Sequence, residues 1–226
     1  MGNLGLLYFE QGHAEEARTF VAAALDIARE VGDRRSEGVD YGCLAMLQNS
    51  LGQTDEAVAQ YEQALAIARD VGHRRHEGYV LACLGQIHID RRRFEEAQRY
   101  LEAALVIIGE VGDRRSQGCV FGYMGTLLAE LGRIDDARAM FDSGEALLRQ
   151  IVDGVELAKL RCSRGLVEAR AGELDHARDA LTEVESLIVE VGAGPVSALV
   201  RDTVALREAI ARANTLDTAS HERLKS

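Results

Sequence analysis

Val31-Gly-Asp-Arg-Arg-Ser-Glu-Gly38, Val71-Gly-His-Arg-Arg-His-Glu-Gly78 and Val111-Gly-Asp-Arg-Arg-Ser-Gln-Gly118 are one phrase sounded three times, forty residues apart. Other residues keep the same beat. Ala17, Ala57, Ala97, Ala137 and Ala177 form one series, and Gly5, Gly85, Gly125 and Gly165 another, with Ala45 in the second slot. A fixed period of this size belongs to repeat architectures, in which each unit buries its apolar face only by stacking on its neighbours. The period decides the fold class and points toward binding.

Each unit divides into two helices. In the second, helix A runs from about Arg35 to Leu51, Gly52 breaks it, and helix B runs from about Thr54 to Val71. Ala57, Val58, Tyr61, Ala64, Leu65 and Ala68 follow the three-four spacing of an amphipathic helix. The break recurs at Gly12, Gly132 and Gly172, with Arg92 replacing it once. Acidic residues follow each break: Glu15-Glu16, Asp55-Glu56, Glu95-Glu96, Asp135-Asp136 and Asp175. They fall in the first turn of helix B, where the helix dipole favours negative charge by roughly 0.3–1 kcal/mol each, so they read as helix starts and not as catalytic carboxylate pairs.

The quoted phrase is the other joint. Gly32, Gly72 and Gly112 can close helix B with a left-handed residue, and Asp33 and Asp113 offer a side-chain cap to the next helix A. The paired arginines after the cap are expected to meet neighbouring carboxylates or lie in solvent. At the fourth joint the phrase fades to Ile151-Val-Asp-Gly-Val-Glu, and at the fifth to Val191-Gly-Ala-Gly-Pro-Val.

The chain of 226 residues carries a formal charge of −11. Nucleic-acid binders carry a basic stripe, so that class is excluded, and anionic membrane surfaces are disfavoured. The same sign favours basic or polar partners. Cys43, Cys83, Cys119 and Cys162 form no C-x-x-C pair, and there is no signal peptide or long apolar run, so a cytoplasmic chain with reduced thiols is expected. There is no P-loop, dinucleotide glycine motif, H-E-x-x-H or G-x-S-x-G. No enzyme, cofactor or metal is expected; His73, His76 and Cys83 lack a fourth ligand.

The repeats are expected at 1–38, 39–78, 79–118, 119–158 and 159–195, followed by a capping helix at 196–213 and a flexible tail at 214–226. The capping helix should bury Val196, Leu199, Val200, Val204 and Ile210, with Pro195 in its first turn. Met1 falls inside a helix A, which leaves Leu4 and Leu7 at an uncapped end open to self-association.

The slots resemble the tetratricopeptide repeat. The third unit fills them with Leu81, Leu84-Gly85, His88, Ala97, Tyr100-Leu101 and Ala104. The second supplies Tyr41, Leu44-Ala45, Gln48, Ala57, Tyr61 and Ala64, and the first Leu4-Gly5, Tyr8, Ala17, Val21 and Ala24. The forty-residue period is similar to the long repeats of kinesin light chains, G-protein signalling modulators and bacterial signalling proteins. The fifth unit departs, with Arg161 and Arg164 in apolar slots and Val184 in an alanine slot.

The resemblance implies an all-α, right-handed α-solenoid of about five helix-turn-helix repeats, its helix A faces lining a concave groove for a peptide or partner helix. Transferred by the period, the groove floor holds Phe9, Met46, Asn49, Tyr79, Gln86, Ile89, Thr126 and Glu130. Gly42, Ala82, Gly122 and Cys162 form a small-residue row expected to leave room, and Glu10, Asp90 and Glu130 would tilt selection toward basic ligands. The first reading is therefore a protein-interaction module, the regulatory or scaffolding part of a larger signalling protein. A ligand- or signal-peptide-sensing domain and a self-assembling scaffold are the alternatives.

Overall fold

The computed structural model describes residues 8, 13–194 and 197–223. Among these every regular element is a helix. They are α1 (Ala14–Glu30), α2 (Arg34–Ser50), α3 (Thr54–Asp70), α4 (Arg74–Asp90) and α5 (Phe94–Val111). After them come α6 (Arg114–Glu130), α7 (Ile134–Gln150), α8 (Gly154–Ala171), α9 (Leu174–Val191) and α10 (Ala198–Arg223). Both series of helix starts recur every forty residues, at 14, 54, 94, 134 and 174 and at 34, 74, 114 and 154.

Among the described residues every positive φ falls on a twenty-residue beat: Gly32, Gly52, Gly72, Arg92, Gly112, Gly132, Val152, Gly172 and Gly192. Each follows a helix, and the amide one residue further on reaches back across the last turn. Asp33 N–H donates to the Ala28 carbonyl at 2.8 Å, and His73 N–H to the Ala68 carbonyl at 2.7 Å. Asp33 and Asp113 cap the next helices through the Ser36 and Ser116 amides, and Asp153 does the same through Glu156 at the fourth joint.

Val152 is the costly member of this series. It is β-branched, its φ is +56°, and its side chain is 84% exposed, so no packing repays the conformation. The left-handed geometry costs an L-residue roughly 1–2 kcal/mol, while glycine adds back about 0.5–1 kcal/mol of unfolded-state entropy. Val152→Gly is therefore expected to stabilise the protein by about 1 kcal/mol, read as a rise in Tm of roughly 2–4 °C. A lower Tm would show that the valine makes a contact that matters.

The chain divides into two compact units, Met1–Tyr123 and Met124–Ser226, with the division inside α6. In the first, consecutive helices from α1 to α5 pack in series. Ala17, Ala57 and Ala97 are fully buried, and glycines let the helices approach closely. A β-carbon on Gly85 would sit 2.6 Å from Leu101, and one on Gly78 would sit 2.7 Å from Ile108.

In the second unit α7, α8 and α9 pack in series and α10 lies on α8 and α9. Gly125 receives Phe141, and Gly165 receives Leu206 of α10. The buried stripe of α10 is Leu199, Thr203, Leu206 and Ile210. This corrects the expected face: Val204 is exposed and Val200 only half-buried, while Thr203 hides its hydroxyl by donating to the Leu199 carbonyl at 2.8 Å. The helix continues past Ala213 to Arg223; Pro195 and Val196 lie outside the described residues.

Candidate functional site

The repeated joints answer their own charges. Buried Glu37 is held by Arg29 and Arg34 at 3.4 and 2.6 Å, and buried Glu77 by Arg69 and Arg74 at 3.0 and 2.7 Å. Arg74 also reaches Glu110 at 2.6 Å, and Arg75 reaches Asp113 at 3.2 Å. At the third joint the equivalents of Glu77 and Arg69 change together, to Gln117 and Gly109. These arginines serve the architecture. Of the Arg91-Arg92-Arg93 run, Arg91 pairs with Asp55 and Arg92 lies over the Phe94 ring at 5.4 Å.

In the first unit the helix-A face is carried by α2 and α4. Tyr79 is 37% exposed, and its hydroxyl lies 4.0 Å from the Met46 sulfur. The neighbouring Cys83 thiol, then burial, pushes the Tyr79 phenol well above the usual tyrosine range. Burial, with the Asp40 charge behind it, pushes the Cys43 thiol up to about 11, so this cysteine stays protonated and is no nucleophile. Asn49 and Gln86 are half-buried on the same helices. Ile89 is 6% exposed and offers a partner little surface. A recess lined by Val21, Cys43, Met46 and Leu47 is too tight for a water molecule, so it is no small-molecule pocket. Phe9 and Glu10, with Leu4 and Leu7 at the expected self-association end, lie outside the described residues.

The small-residue row does not leave the expected room. The space over Gly42 is taken by His76, whose Cε1 stands 2.9 Å from where a β-carbon would be. The His76 Nε2–H donates to the Gly38 carbonyl at 3.0 Å, and its ring stacks between His73 and Tyr79. Burial lowers the His76 pKa, so the neutral ring fills this gap. Cys162 is buried 3.8 Å from the Thr203 hydroxyl. The sequence signal was the second joint, where His73 and His76 replace the Asp and Ser of the other two.

In the second unit Thr126 and Glu130 lie half-buried on α6. Glu130 accepts a 2.6 Å hydrogen bond from Arg170, which answers its charge. The same unit holds a buried ionic cluster. Arg138 grips Glu168 with both ends of its guanidinium, at 3.0 and 2.7 Å, and Glu168 is 2% exposed. Arg161 and Arg164 close on Glu145 at 2.7 and 2.9 Å, and Arg164 also reaches Asp142. Burial pulls the Arg164 pKa down, but the hydrogen bonds it donates to Glu145 and Asp142 raise it overall. Arg161 stands 2.9 Å from Glu183, whose other partner is Arg149, although its Nε is poorly aligned for a hydrogen bond there. The two arginines in apolar slots are thus matched by an acid in the facing slot.

Among the described residues no group of histidine, cysteine or acidic side chains could hold a metal ion, and no helix is long and apolar enough to cross a membrane. Helical hairpins on a forty-residue beat, with one face of α2 and α4 carrying an exposed aromatic beside half-buried thioether and amide groups, define a helical-repeat interaction protein. The chain belongs to the tetratricopeptide repeat family, whose model matches residues 1–70 and 78–150.

No curated protein sequence matches the chain. Among solved structures it is similar to BtubC (BKLC) from P. vanneervenii, with TM-score 0.64, 22% identity, and 84% of this chain and 79% of that one covered. It is similar to a Rap protein complexed with Competence and Sporulation Factor, with TM-score 0.74, 18% identity, and 98% and 67% covered. A putative kinesin light chain of Podosopora anserina aligns with TM-score 0.58 at 16% identity over 85% and 95%. At these identities the likeness is one of fold.

Proposed function

We propose that the protein captures a peptide or helix on the helix-A face of its first unit, as a regulatory or scaffolding part of a signalling protein in the cytoplasm. One observation carries the reading. Among the large apolar and aromatic side chains of α2 and α4, Tyr79 is the exposed one, beside half-buried Met46, with half-buried Asn49 and Gln86 on the same pair of helices. Tyrosine and methionine supply large, adaptable contact area, and amides hydrogen-bond an extended chain or a helix equally well. Thr126 and Glu130 belong to the same reading in the second unit. The partner's basic character follows from the net charge of −11.

The test is a selection of displayed peptides against the whole chain, followed by titration of the selected sequences against Tyr79→Asp/Gln86→Arg. Affinity is expected to fall at least tenfold with far-UV circular dichroism unchanged. Equal affinity for the double variant overturns the assignment. A sensing role is the second reading, favoured by the Rap structure that holds Competence and Sporulation Factor. It predicts that a bound peptide changes the protein's hydrodynamic radius, which small-angle scattering reads directly.

A further inference from the structure

Most carboxylates of the first unit described above have a partner: Glu37 and Glu77 two arginines each, Asp55 Arg91, Glu110 Arg74, and Asp113 Arg75. Asp90 has none. Burial alone raises its pKa, and no neighbouring cation lowers it. Its place makes this worse, because Asp90 is the last residue of α4, where the helix dipole presents partial negative charge and favours a cation. Forty residues on, the equivalent Glu130 is answered by Arg170. Asp90 is therefore a carboxylate at an unfavourable helix end with no ion-pair partner among the described residues.

Its side chain remains solvent-accessible. It shares a stripe of α4 with Tyr79 and Gln86, eleven and four residues before it. Eleven residues are close to three helical turns, so Asp90 and Tyr79 point the same way about 16 Å apart. An extended chain covers that distance in about five residues. A cation brought to Asp90 would remove its penalty in the bound state alone, which turns a flaw of the free protein into selectivity for the complex.

Resting on the peptide-capture reading above, we propose that Asp90 is the charge anchor of this face. It pairs with a lysine or arginine of the bound segment, whose apolar side chain, about 16 Å away, lies against Tyr79 and Met46.

The probe is a labelled peptide with leucine and arginine four residues apart in a serine background, a spacing that puts both side chains on one face of an extended chain and leaves the long arginine to cover the rest of the distance, beside a twin carrying citrulline in place of arginine. Fluorescence anisotropy is measured on the whole chain, on Asp90→Asn and on Tyr79→Ala. The arginine peptide is expected to bind wild type about tenfold more tightly than its twin. Asp90→Asn should erase that preference without weakening the citrulline peptide, and Tyr79→Ala should weaken both. A second readout needs no ligand: Asp90→Asn should leave the Tm of the free protein unchanged or higher. Equal binding of the two peptides to wild type, a preference that survives in Asp90→Asn, or a lower Tm for that variant each overturns the anchor. If both peptides bind equally and Tyr79→Ala weakens both, the anchor falls while peptide capture stands; if neither binds, the anchor falls and capture is judged by the displayed-peptide selection.

Discussion

Glu168→Leu is expected to destabilise the second unit by about 3–5 kcal/mol, the range for removing one partner of a buried ion pair. Leucine is not out of place by shape, since Leu128 holds the equivalent slot one repeat earlier and is buried there. The cost comes from what stays behind. The Arg138 side chain is 28% exposed and loses a two-ended pairing, leaving Asp135 at 3.4 Å and Glu173 at 3.8 Å on the rim. Arg164, also largely buried, loses the most distant of its three acids, at 4.0 Å. For a chain of this size the drop should exceed roughly 6 °C in Tm. Glu168→Leu/Arg138→Val, which removes both charges and takes its leucine from the Leu128 slot and its valine from the Val58 slot, should recover much of the loss. Removing the exposed Arg133–Asp136 pair is the control, expected to cost under about 1 kcal/mol. A Glu168→Leu variant that melts with wild type would mean that water already reaches Arg138 freely.

The period made helices and joints legible because local chemistry sets them. A glycine that must turn left-handed, an aspartate that caps three residues ahead and an alanine that two helices squeeze are all visible without the fold. Arg92 was readable as a substitute for glycine for the same reason. Val152 was not, because the phrase has faded at that joint and its one glycine, Gly154, serves another purpose: it makes room for Val191, 2.8 Å from where a β-carbon would be. Thr203 was absent from the expected buried face because a hydroxyl that bonds its own helix behaves as a small apolar group, which no count of polar residues shows.

The candidate face was legible only in part. Row positions followed from the period, but accessibility did not, since it depends on what the next helix puts over each slot. His76 closes Gly42, and Ile89 is buried while Tyr79 stays open. Charge was the least readable property. Asp90 and Glu130 are equivalent in the repeat, yet only Glu130 finds an arginine, because Arg170 occurs in one unit and has no counterpart where it would serve Asp90. The departures Arg161 and Arg164 were seen; their partner Glu145 lies in another helix, at a position that holds Leu25, Leu65 and Leu105 elsewhere.

That last substitution pattern supports a sharper experiment. Glu145→Leu alone should destabilise the second unit by up to about 3–5 kcal/mol, since two arginines whose side chains are only one-fifth exposed lose their shared buried acid and keep chiefly Glu183 and Asp142. Glu145→Leu/Arg161→Leu/Arg164→Leu should do the opposite. The equivalent trio eighty residues earlier is Leu65, Leu81 and Leu84, all buried, so the chain already contains an apolar solution for these slots. Buried ionic clusters replaced by packed apolar groups are commonly neutral or more stable by about 1–4 kcal/mol, because desolvation consumes most of the attraction. The acids that lose an arginine can bear it: Asp142 faces solvent and Glu183 keeps Arg149. Urea denaturation of both variants reads the difference directly, and the triple variant should match or exceed wild type although it contains the damaging single change. Should the triple variant fall as far as Glu145→Leu, the cluster would be a net source of stability in its own right, and the leucines of the second and third repeats would not be interchangeable with it.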